Sequence, residues 1–180
     1  MKKQSQHNPL HLYVDNTPYF ITGAIYLKRC LLSSAESKKK LIKLIQGYFN
    51  KYEWELHHWV ILDNHYHLLG KSKKGKDMPM IIKGINSVSG KSILEDTKCA
   101  KPVWWNYWDY CPRDEKEYYT RLNYLFYNPV KHGYTNDLNC YGFSSFQKLL
   151  AKLGREKMVE QFRQYPDYKT MVLTETGDDF

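Results

Sequence analysis

Hydrophobic spacing along the first half of the chain alternates between strand-like and helix-like stretches. Residues 19–28 are rich in aromatic and β-branched side chains, which predicts a first strand. A helix should follow, because apolar residues then recur at helical spacing through positions 41–48. Ser33, with Glu36 three residues later, forms a capping-box pattern at its start. We expect this helix to end between residues 47 and 50.

Two extended segments separated by a turn come next. Residues 54–62 alternate apolar with mixed side chains, and Asp63 and Asn64 supply the turn. Residues 65–71 then continue as another extended segment. The pattern predicts a β-hairpin whose second strand begins at His65.

The pattern after residue 76 predicts two long helices with an aromatic strand between them. Asp77 can cap a helix whose apolar positions extend to Val88, and residues 103–110 predict the strand. Residues 114–128 predict the second of these helices. Pro129 should end it, since the residue before a proline is pushed out of the helical backbone region; Gly133 follows as a further stop signal.

The element order β-α-β-β-α-β-α predicts an α+β protein. It fits a ferredoxin-like split βαβ arrangement, an antiparallel sheet with helices packed on one face. A length of 180 residues suits one compact domain. We expect residues 1–146 to form the functional domain. Residues 147–180, with a short helix around 147–162, should form a C-terminal extension of it.

Composition narrows the class of partner. The chain carries 27 Lys and Arg against 19 Asp and Glu, a formal net charge of +8, which favours a polyanion such as nucleic acid. A basic surface that binds no nucleic acid is the alternative. The four cysteines are unevenly spaced and include no C-x-x-C pair, which predicts reduced thiols and a cytoplasmic protein. Neither a secretory leader nor a membrane span is expected, and therefore no membrane partner.

Candidate chemistry begins with two histidines that are separated by one residue. In an extended strand His65 and His67 point to the same face, whereas Tyr66 points to the opposite one. Neutral imidazoles are common ligands of divalent metals. A metal held there with an open coordination position could polarise a phosphate while a phenol attacks it.

The phenol must come from one of 16 tyrosines. On the predicted helix 114–128, Tyr124 lies roughly 145° from the centre of the apolar stripe, so we expect it to be kept out of the core. Asn128 follows four residues later on the same side, where its amide oxygen can be a third metal ligand. Tyr119 and Asn123 share this spacing, but Tyr119 is only about 75° from the stripe centre and should pack at its edge.

Each of these features has a second interpretation. A His-x-His pair in a strand is often structural, and the two histidines together with a cysteine would suit a structural zinc site. His57 and His58 are adjacent, so at most one of them can face the same side as the pair. We interpret both as structural.

Four motifs taken together resemble a known family. They are Tyr-Phe-Ile-Thr at 19–22, Trp-Val-Ile-Leu-Asp-Asn-His-Tyr-His-Leu-Leu at 59–69, Tyr-Leu-Phe-Tyr-Asn-Pro-Val-Lys at 124–131 and Tyr-Gly-Phe-Ser-Ser at 141–145. The chain resembles the single-tyrosine HUH transposases of insertion sequences, and especially their REP-associated tyrosine transposase branch. Two positions depart from the family pattern: Tyr66 stands where an aliphatic residue is usual, and His132 where a small residue is common.

The resemblance implies that residues 1–146 are a single-tyrosine HUH domain. It implies that His65 and His67 are ligands of Mg²⁺ or Mn²⁺, that Asn128 is a further ligand and that Tyr124 is the nucleophile. The implied activity is transposase chemistry: cleavage and rejoining of single-stranded DNA, at hairpin-flanked sites, through a 5′-phosphotyrosine intermediate. A homodimer is considered, because related transposases pair protomers. The alternative is a transposase-derived protein that binds DNA hairpins without cutting them.

Basic and aromatic residues are candidates for DNA contact. Four lysines follow the histidine motif closely, and four further basic residues are spread over the predicted helices and their ends. Exposed members of the aromatic cluster at 104–108 could stack on unpaired bases, although core packing is the expectation for at least half of that cluster. The predicted DNA-binding residues are Lys71, Lys73, Lys74, Lys76, Lys83, Arg113, Arg121 and Lys131.

Overall fold

The computed structural model describes residues 13–171 and residue 173. Its four strands are β1 (Pro18–Ile25), β2 (Glu55–Ile61), β3 (His65–Lys71) and β4 (Trp104–Tyr110). They form one sheet in the order β2-β3-β1-β4, in which each neighbouring pair is antiparallel. Strand β3 therefore separates β1 from β2, as a split βαβ unit requires. The predicted α+β class with an antiparallel, ferredoxin-like sheet is confirmed.

The helices cover both faces of this sheet, which corrects the expectation that they pack on one. They are α1 (Ala35–Lys51), α2 (Met78–Thr97), α3 (Glu115–Lys131), α4 (Phe146–Leu153) and α5 (Arg155–Gln164). Helices α1 and α2 pack on one face and the other three on the second. Central strand β1 is the reason: Tyr19 and Ile21 contribute to the first core and Phe20 to the second. A strand that is apolar on both sides must be covered on both sides.

The start of α1 differs by one residue from its predicted position. Ser34, not Ser33, is the N-cap, and its hydroxyl oxygen accepts a hydrogen bond of 3.0 Å from the backbone N–H of Ser37. The predicted capping box with Glu36 is therefore not formed. Helix α2 starts after Asp77 as predicted, although the Asp77 side chain makes no capping bond and the helix extends beyond Val88 to Thr97.

Helix α3 begins after Asp114, whose side chain accepts a hydrogen bond from the N–H of Glu117. The prediction that Pro129 ends the helix is wrong, because Pro129 lies inside it and the helix continues to Lys131. A proline so close to the end removes one N–H donor only. The last turn is still closed by the N–H of His132, which donates to the carbonyl of Asn128 at 3.0 Å, and Gly133 then adopts a φ of 73°.

The C-terminal region folds as two helices, not as the single helix predicted around residues 147–162. Gly154, with a φ of 83°, separates α4 from α5. The second helix packs on the outer side of α3: the amide nitrogen of Asn123 donates to the carbonyls of Gln161 and Tyr165, and Gln161 donates back to the Asn123 oxygen. Helix α3 is thus covered from two sides.

The sequence predicted no membrane span and reduced cysteines. None of the helices in residues 13–171 is both long and apolar enough to cross a membrane. All four cysteines are free thiols: Cys30 and Cys140 are exposed, and Cys99 and Cys111 are half-buried.

Candidate active site

The two histidines of β3 lie side by side on the face of the sheet that α3 covers. Their ring centroids are 5.0 Å apart, and both side chains are buried. Strand pairing places His67 opposite Thr22 and His65 opposite Ala24. Tyr66 points into the other core and is fully buried there, with its ring 5.4 Å from that of Trp104. The alternation predicted for the three residues is confirmed.

His67 combines a fixed orientation with a buried nitrogen that has no hydrogen-bond partner. Its Nδ1 lies 2.8 Å from the hydroxyl of Thr22, and its ring stacks on Phe20 at 5.2 Å. The Nε2 atom is buried and makes no hydrogen bond. Burial, reinforced by the charges of His65, His132 and Lys131, holds the His67 pKa well below its ordinary value. His67 is therefore neutral near pH 7.

His65 lies between two amide oxygens. Its Nδ1 is 2.7 Å from Oδ1 of Asn64, and its Nε2 is 2.9 Å from Oδ1 of Asn128. Burial, aided by the charge of His132, lowers the His65 pKa to about 3, so the ring is neutral near pH 7 and has one N–H. If this N–H donates to Asn64, a lone pair on Nε2 faces the lone pairs of Asn128.

A cation would resolve this arrangement, because lone pairs that repel one another can bind the same ion. Two atoms that bind one octahedral Mg²⁺ at 2.0–2.1 Å lie about 3 Å apart, and the Nε2–Oδ1 distance of 2.9 Å matches this value. The unpartnered Nε2 of His67 supplies a third donor. Asn64 and Thr22 hold the other nitrogens of the two rings, as outer partners of metal-bound histidines do. The donor set of His65, His67 and Asn128 therefore fits a divalent metal.

No cysteine is placed to complete a zinc site with the two histidines in the described part of the chain. Within residues 13–171 and 173, no group of three or more His, Cys, Asp and Glu side chains is placed to hold a metal ion. The third candidate ligand is instead the amide of Asn128, whose Nδ2 is also buried without a hydrogen-bond partner. Amide oxygen is a hard donor, which suits Mg²⁺ or Mn²⁺ better than a soft-metal site.

Tyr124 meets the histidines from α3, but its side chain is buried rather than kept out of the core as predicted. It is 4 % exposed, and its ring lies 5.5 Å from that of His67 and 6.3 Å from Phe20. Helix α3 has two covered sides, one against the sheet and one against the C-terminal helices, so a single apolar stripe does not show which of its side chains are buried. The tyrosine and both histidines belong to one chain.

The rival pair Tyr119 and Asn123 lies elsewhere on α3. Tyr119 stacks on Tyr165 with 5.0 Å between ring centroids, and Asn123 is bonded to Gln161 and Tyr165. Both residues thus serve the packing of the C-terminal helices, which leaves Tyr124 and Asn128 on the side of the histidines.

Three contributors to the site were not assigned to it by the sequence analysis. Lys131 donates a hydrogen bond of 3.2 Å to the Tyr124 phenol oxygen, and its ammonium nitrogen is 4.9 Å from the ring centroid. Thr22 and Asn64 orient the histidine rings. Two signals were present: a hydroxyl in an otherwise apolar strand, and a lysine two helical turns after the tyrosine. Exposed His132 also lies near, with its ring 5.1 Å from His65.

The predicted DNA-binding lysines after the histidine motif do not lie beside it. Lys71 ends β3, so it is six residues, or about 20 Å of extended strand, from His65. Lys73, Lys74 and Lys76 follow as exposed residues at this remote end of the sheet, and Lys83 is exposed on α2. Their contact with DNA stays a prediction, now assigned to a surface distant from the histidines.

The two predicted arginines differ from each other. Arg113 is exposed and paired with Glu117 at 2.5 Å. Arg121 is buried, with its guanidinium 3.5 Å from the centroid of Tyr110 and 5.3 Å from that of Phe20. This stacked position corrects the expectation of a surface DNA contact for Arg121, since a buried guanidinium cannot reach a phosphate without movement.

Known proteins resemble the chain over the same elements. The family model for IS200-like transposases matches residues 20–112, which include most of β1, the histidine pair and β4. The REP-associated tyrosine transposase of Escherichia coli is 27 % identical over 144 residues, or 78 % of this chain and 82 % of that protein. A putative REP-associated tyrosine transposase of Haemophilus influenzae is 40 % identical over 42 residues, which are 23 % of this chain and 24 % of that one.

Structural comparison agrees on the fold. A solved structure of a REP-associated tyrosine transposase bound to a REP hairpin aligns with a TM-score of 0.68 at 24 % identity, covering 82 % of this chain and 86 % of that one. The family match spans more than half of the chain and includes His65 and His67. This chain belongs to the IS200-like transposase family.

Proposed function

We propose that this protein cleaves and rejoins single-stranded DNA at hairpin-flanked sites, with Tyr124 as the nucleophile. One observation carries the proposal: a phenol, two neutral imidazoles and an amide oxygen converge on one face of the sheet within a single chain. Membership of a transposase family supports DNA processing as the reaction class. The E. coli relative supports the tyrosine transposase branch.

His65, His67 and Asn128 would hold Mg²⁺ or Mn²⁺. When bound, such an ion supplies Lewis-acid stabilisation of the charge on a phosphate. The chain's own residues prepare this site in two ways. Burial keeps both imidazoles neutral, as metal ligands must be, and the Thr22 and Asn64 side chains fix the rings.

The reaction is a transesterification. The Tyr124 oxygen forms a bond to phosphorus, the bond from phosphorus to the 3′ oxygen breaks, and the phenol proton is lost while the leaving 3′ oxygen gains one. The products are a 5′-phosphotyrosine and a free 3′-hydroxyl. Attack by a second 3′-hydroxyl reverses the step and joins two strands. Lys131 supports it by hydrogen bonding to the attacking oxygen.

A covalent-adduct assay tests this proposal. Hairpin oligonucleotides from the DNA that flanks the gene are incubated with the protein, with and without Mn²⁺, and protein–DNA adducts are separated under denaturing conditions. We expect a Mn²⁺-dependent adduct that Tyr124→Phe abolishes and that Tyr119→Phe, the matched control on the same helix, retains. An adduct of undiminished yield in Tyr124→Phe would falsify the assignment of the nucleophile. His65→Ala combined with His67→Ala should remove the Mn²⁺-dependent product.

The second candidate is a protein that binds DNA hairpins without cleaving them. The burial of Tyr124 favours it, because only 4 % of this side chain is exposed and a scissile phosphate must reach it. Hairpin binding with no adduct at any Mn²⁺ concentration would support this candidate. We further propose that the protein acts in the cytoplasm and that it can also assemble as a homodimer. The site itself is assembled within one chain.

A further inference from the structure

We propose that Tyr26 and Trp105 form a stacking site for an unpaired DNA base at the end of the sheet where His65 lies. The inference rests on the proposed function, since it names where the single strand would be held. The two rings stack with 5.0 Å between centroids and 29° between planes. Trp105 is 39 % exposed, and the neighbouring Leu27 is 73 % exposed. Large apolar side chains at the surface are typical of binding sites when they are clustered.

Strand pairing places this aromatic pair close to the site. Ala24 pairs with His65 across β1 and β3, and Ile25 pairs with Trp104 across β1 and β4. Tyr26 and Trp105 each follow the second of these pairs, so they lie at the same end of the sheet as His65. Trp104 packs against Tyr66 on the face covered by α1 and α2. The register between β1 and β4 shifts between Gly23 and Ile25, so Trp105 lies in an irregular part of β4, where its ring contacts Tyr26 rather than the core.

The segment that carries Tyr26 is held rigidly. The N–H of Tyr26 donates to the carbonyl of Val103 at 2.8 Å. Arg29 donates to the carbonyl of Tyr26 at 3.0 Å and to that of Ala100 at 2.7 Å, with a further bond to Pro102. A fixed aromatic surface binds a base without the entropic loss of ordering it first.

The turn after Tyr26 carries strain and is tied to the histidine site. Leu27 and Lys28 are consecutive non-glycine residues with φ values of 57° and 54°. Such left-handed residues persist only where the surroundings enforce them, and they cluster at ligand sites. The Lys28 carbonyl accepts a hydrogen bond from Nδ2 of Asn64, the residue whose oxygen contacts His65. Asn64 thus connects the turn after Tyr26 to the histidine pair.

The chemistry favours a base rather than a phosphate as the occupant. The guanidinium of Arg29 is engaged by three backbone carbonyls, so it is a poor partner for an anion. Aromatic faces, in contrast, stack on any base. Pairing of a second chain along edge strand β4 would also cover Trp105. Such pairing would make the oligomeric state, and not the DNA affinity, depend on Trp105.

The test measures DNA binding without cleavage. A fluorescent dT oligonucleotide of about 12 nucleotides is titrated by anisotropy, in the absence of metal, against the wild type, Trp105→Ala, Trp105→Phe and Tyr52→Ala. Tyr52 is a half-buried aromatic residue at the end of α1 and serves as the control. We expect Trp105→Ala to raise Kd at least about fivefold, Trp105→Phe to restore most of the affinity and Tyr52→Ala to change it less than twofold.

Two further readouts identify stacking. The slope of log Kd against log salt should be the same in Trp105→Ala and the wild type, because no phosphate contact is lost. In a second series, each oligonucleotide has a hairpin at its dye-labelled end and one abasic position, which is moved along the single strand. Wild-type binding should weaken when the abasic position lies at one particular distance from the hairpin. In Trp105→Ala that position should have no further effect.

Several results would overturn the inference. They are an unchanged Kd in a Trp105→Ala protein with wild-type circular dichroism, a changed salt slope, and loss of a dimer on size exclusion without loss of DNA affinity. The outcome is independent of the adduct assay. If adducts form but Trp105→Ala binds normally, only the stacking site fails. If Trp105→Ala weakens binding but no adduct forms, only the cleavage function fails.

Discussion

Lys131 and Tyr124 face the same side of α3, two turns apart, and the lysine ammonium donates a hydrogen bond of 3.2 Å to the tyrosine oxygen. The ammonium also lies 4.9 Å from the ring centroid, so it contacts the face of the phenol as well as its oxygen. Negative charge that develops on this oxygen would be stabilised by the adjacent cation. Lys131 thus contacts the proposed nucleophile directly.

Removal of this charge should slow the chemical step. We expect Lys131→Met to lower the rate of adduct formation at saturating DNA by about 10- to 100-fold, because a hydrogen bond to a charged group contributes roughly 1.5–3 kcal/mol. The rate is measured in single-turnover experiments with excess protein. Lys43→Met, at an exposed position on α1, is the control and should react at the wild-type rate. If Lys131 contacted phosphate alone, the variant would show a weaker Kd and an unchanged rate at saturation.

The Thr22 hydroxyl should contribute to metal affinity although it is not a proposed ligand. Thr22→Val removes the group that lies 2.8 Å from Nδ1 of His67 while keeping the side-chain shape. Loss of such an outer partner typically weakens metal binding 10- to 100-fold, and we expect that range for Mn²⁺ followed by electron paramagnetic resonance. In the control Thr97→Val, the hydroxyl lost is bonded to the Ile93 carbonyl within α2, and Mn²⁺ affinity should not change. Equal affinities in both variants would contradict the role of Thr22.

Gly23 and Tyr66 should be energetically coupled. A Cβ atom at Gly23 would lie 2.3 Å from the Tyr66 ring, so the glycine makes room for this unusually large residue in the histidine motif. We expect Gly23→Ala to reduce the free energy of unfolding by about 1–3 kcal/mol. In a Tyr66→Leu background the same change should cost less than about 0.5 kcal/mol.

Urea unfolding of the two single variants and the double variant gives this coupling directly. The control is Gly47→Ala on an exposed position of α1, where nothing lies within 4 Å of the added carbon. It should raise stability by roughly 0.5–1 kcal/mol, because alanine is the better helix former. Additive effects of Gly23→Ala and Tyr66→Leu would show that the two residues do not compete for space.

His58 should make the protein less stable in acid. Burial, helped by the charges of His57, Lys152 and Lys148, lowers its pKa to about 4. The unfolded chain binds a proton at this side chain below about pH 6.5, and the folded protein does so only near pH 4, so the free energy of unfolding falls as pH falls through that window. We expect His58 to account for roughly 2 kcal/mol of the loss between pH 6.5 and pH 5.

The variant His58→Leu isolates this contribution. Its loss of stability on going from pH 7 to pH 5 should be smaller than that of the wild type by roughly this 2 kcal/mol. The other buried histidines are present in both proteins and cancel in the difference. Parallel stability curves for the two proteins, measured by urea unfolding, would show that His58 titrates alike in the folded and unfolded chains.

Local patterns in the sequence were sufficient for the histidine pair and for most of each strand, although the first strand, predicted over 19–28, ends at Ile25 and is followed by a 3-10 turn at Tyr26–Lys28. Strand β3 was predicted with its observed bounds, because alternation of side chains over 65–71 is a property of the backbone alone. That alternation also placed His65 and His67 together and Tyr66 opposite them. The spacing of Tyr124 and Asn128 likewise follows from the helical repeat.

Long-range packing decided what the local patterns could not. Tyr124 is buried because its side of α3 packs on His67 and Phe20 of the sheet, and no periodicity within α3 reports which of its sides the sheet covers. The contacts of Thr22 with His67 and of Asn64 with His65 and Lys28 depend on strand register and on a turn. The sequence by itself determined which residues are candidates for the chemistry and that His65 and His67 share one face of their strand. Only the tertiary structure decided which of those faces meet, because contacts between distant segments arise from burial of apolar surface shared among several elements.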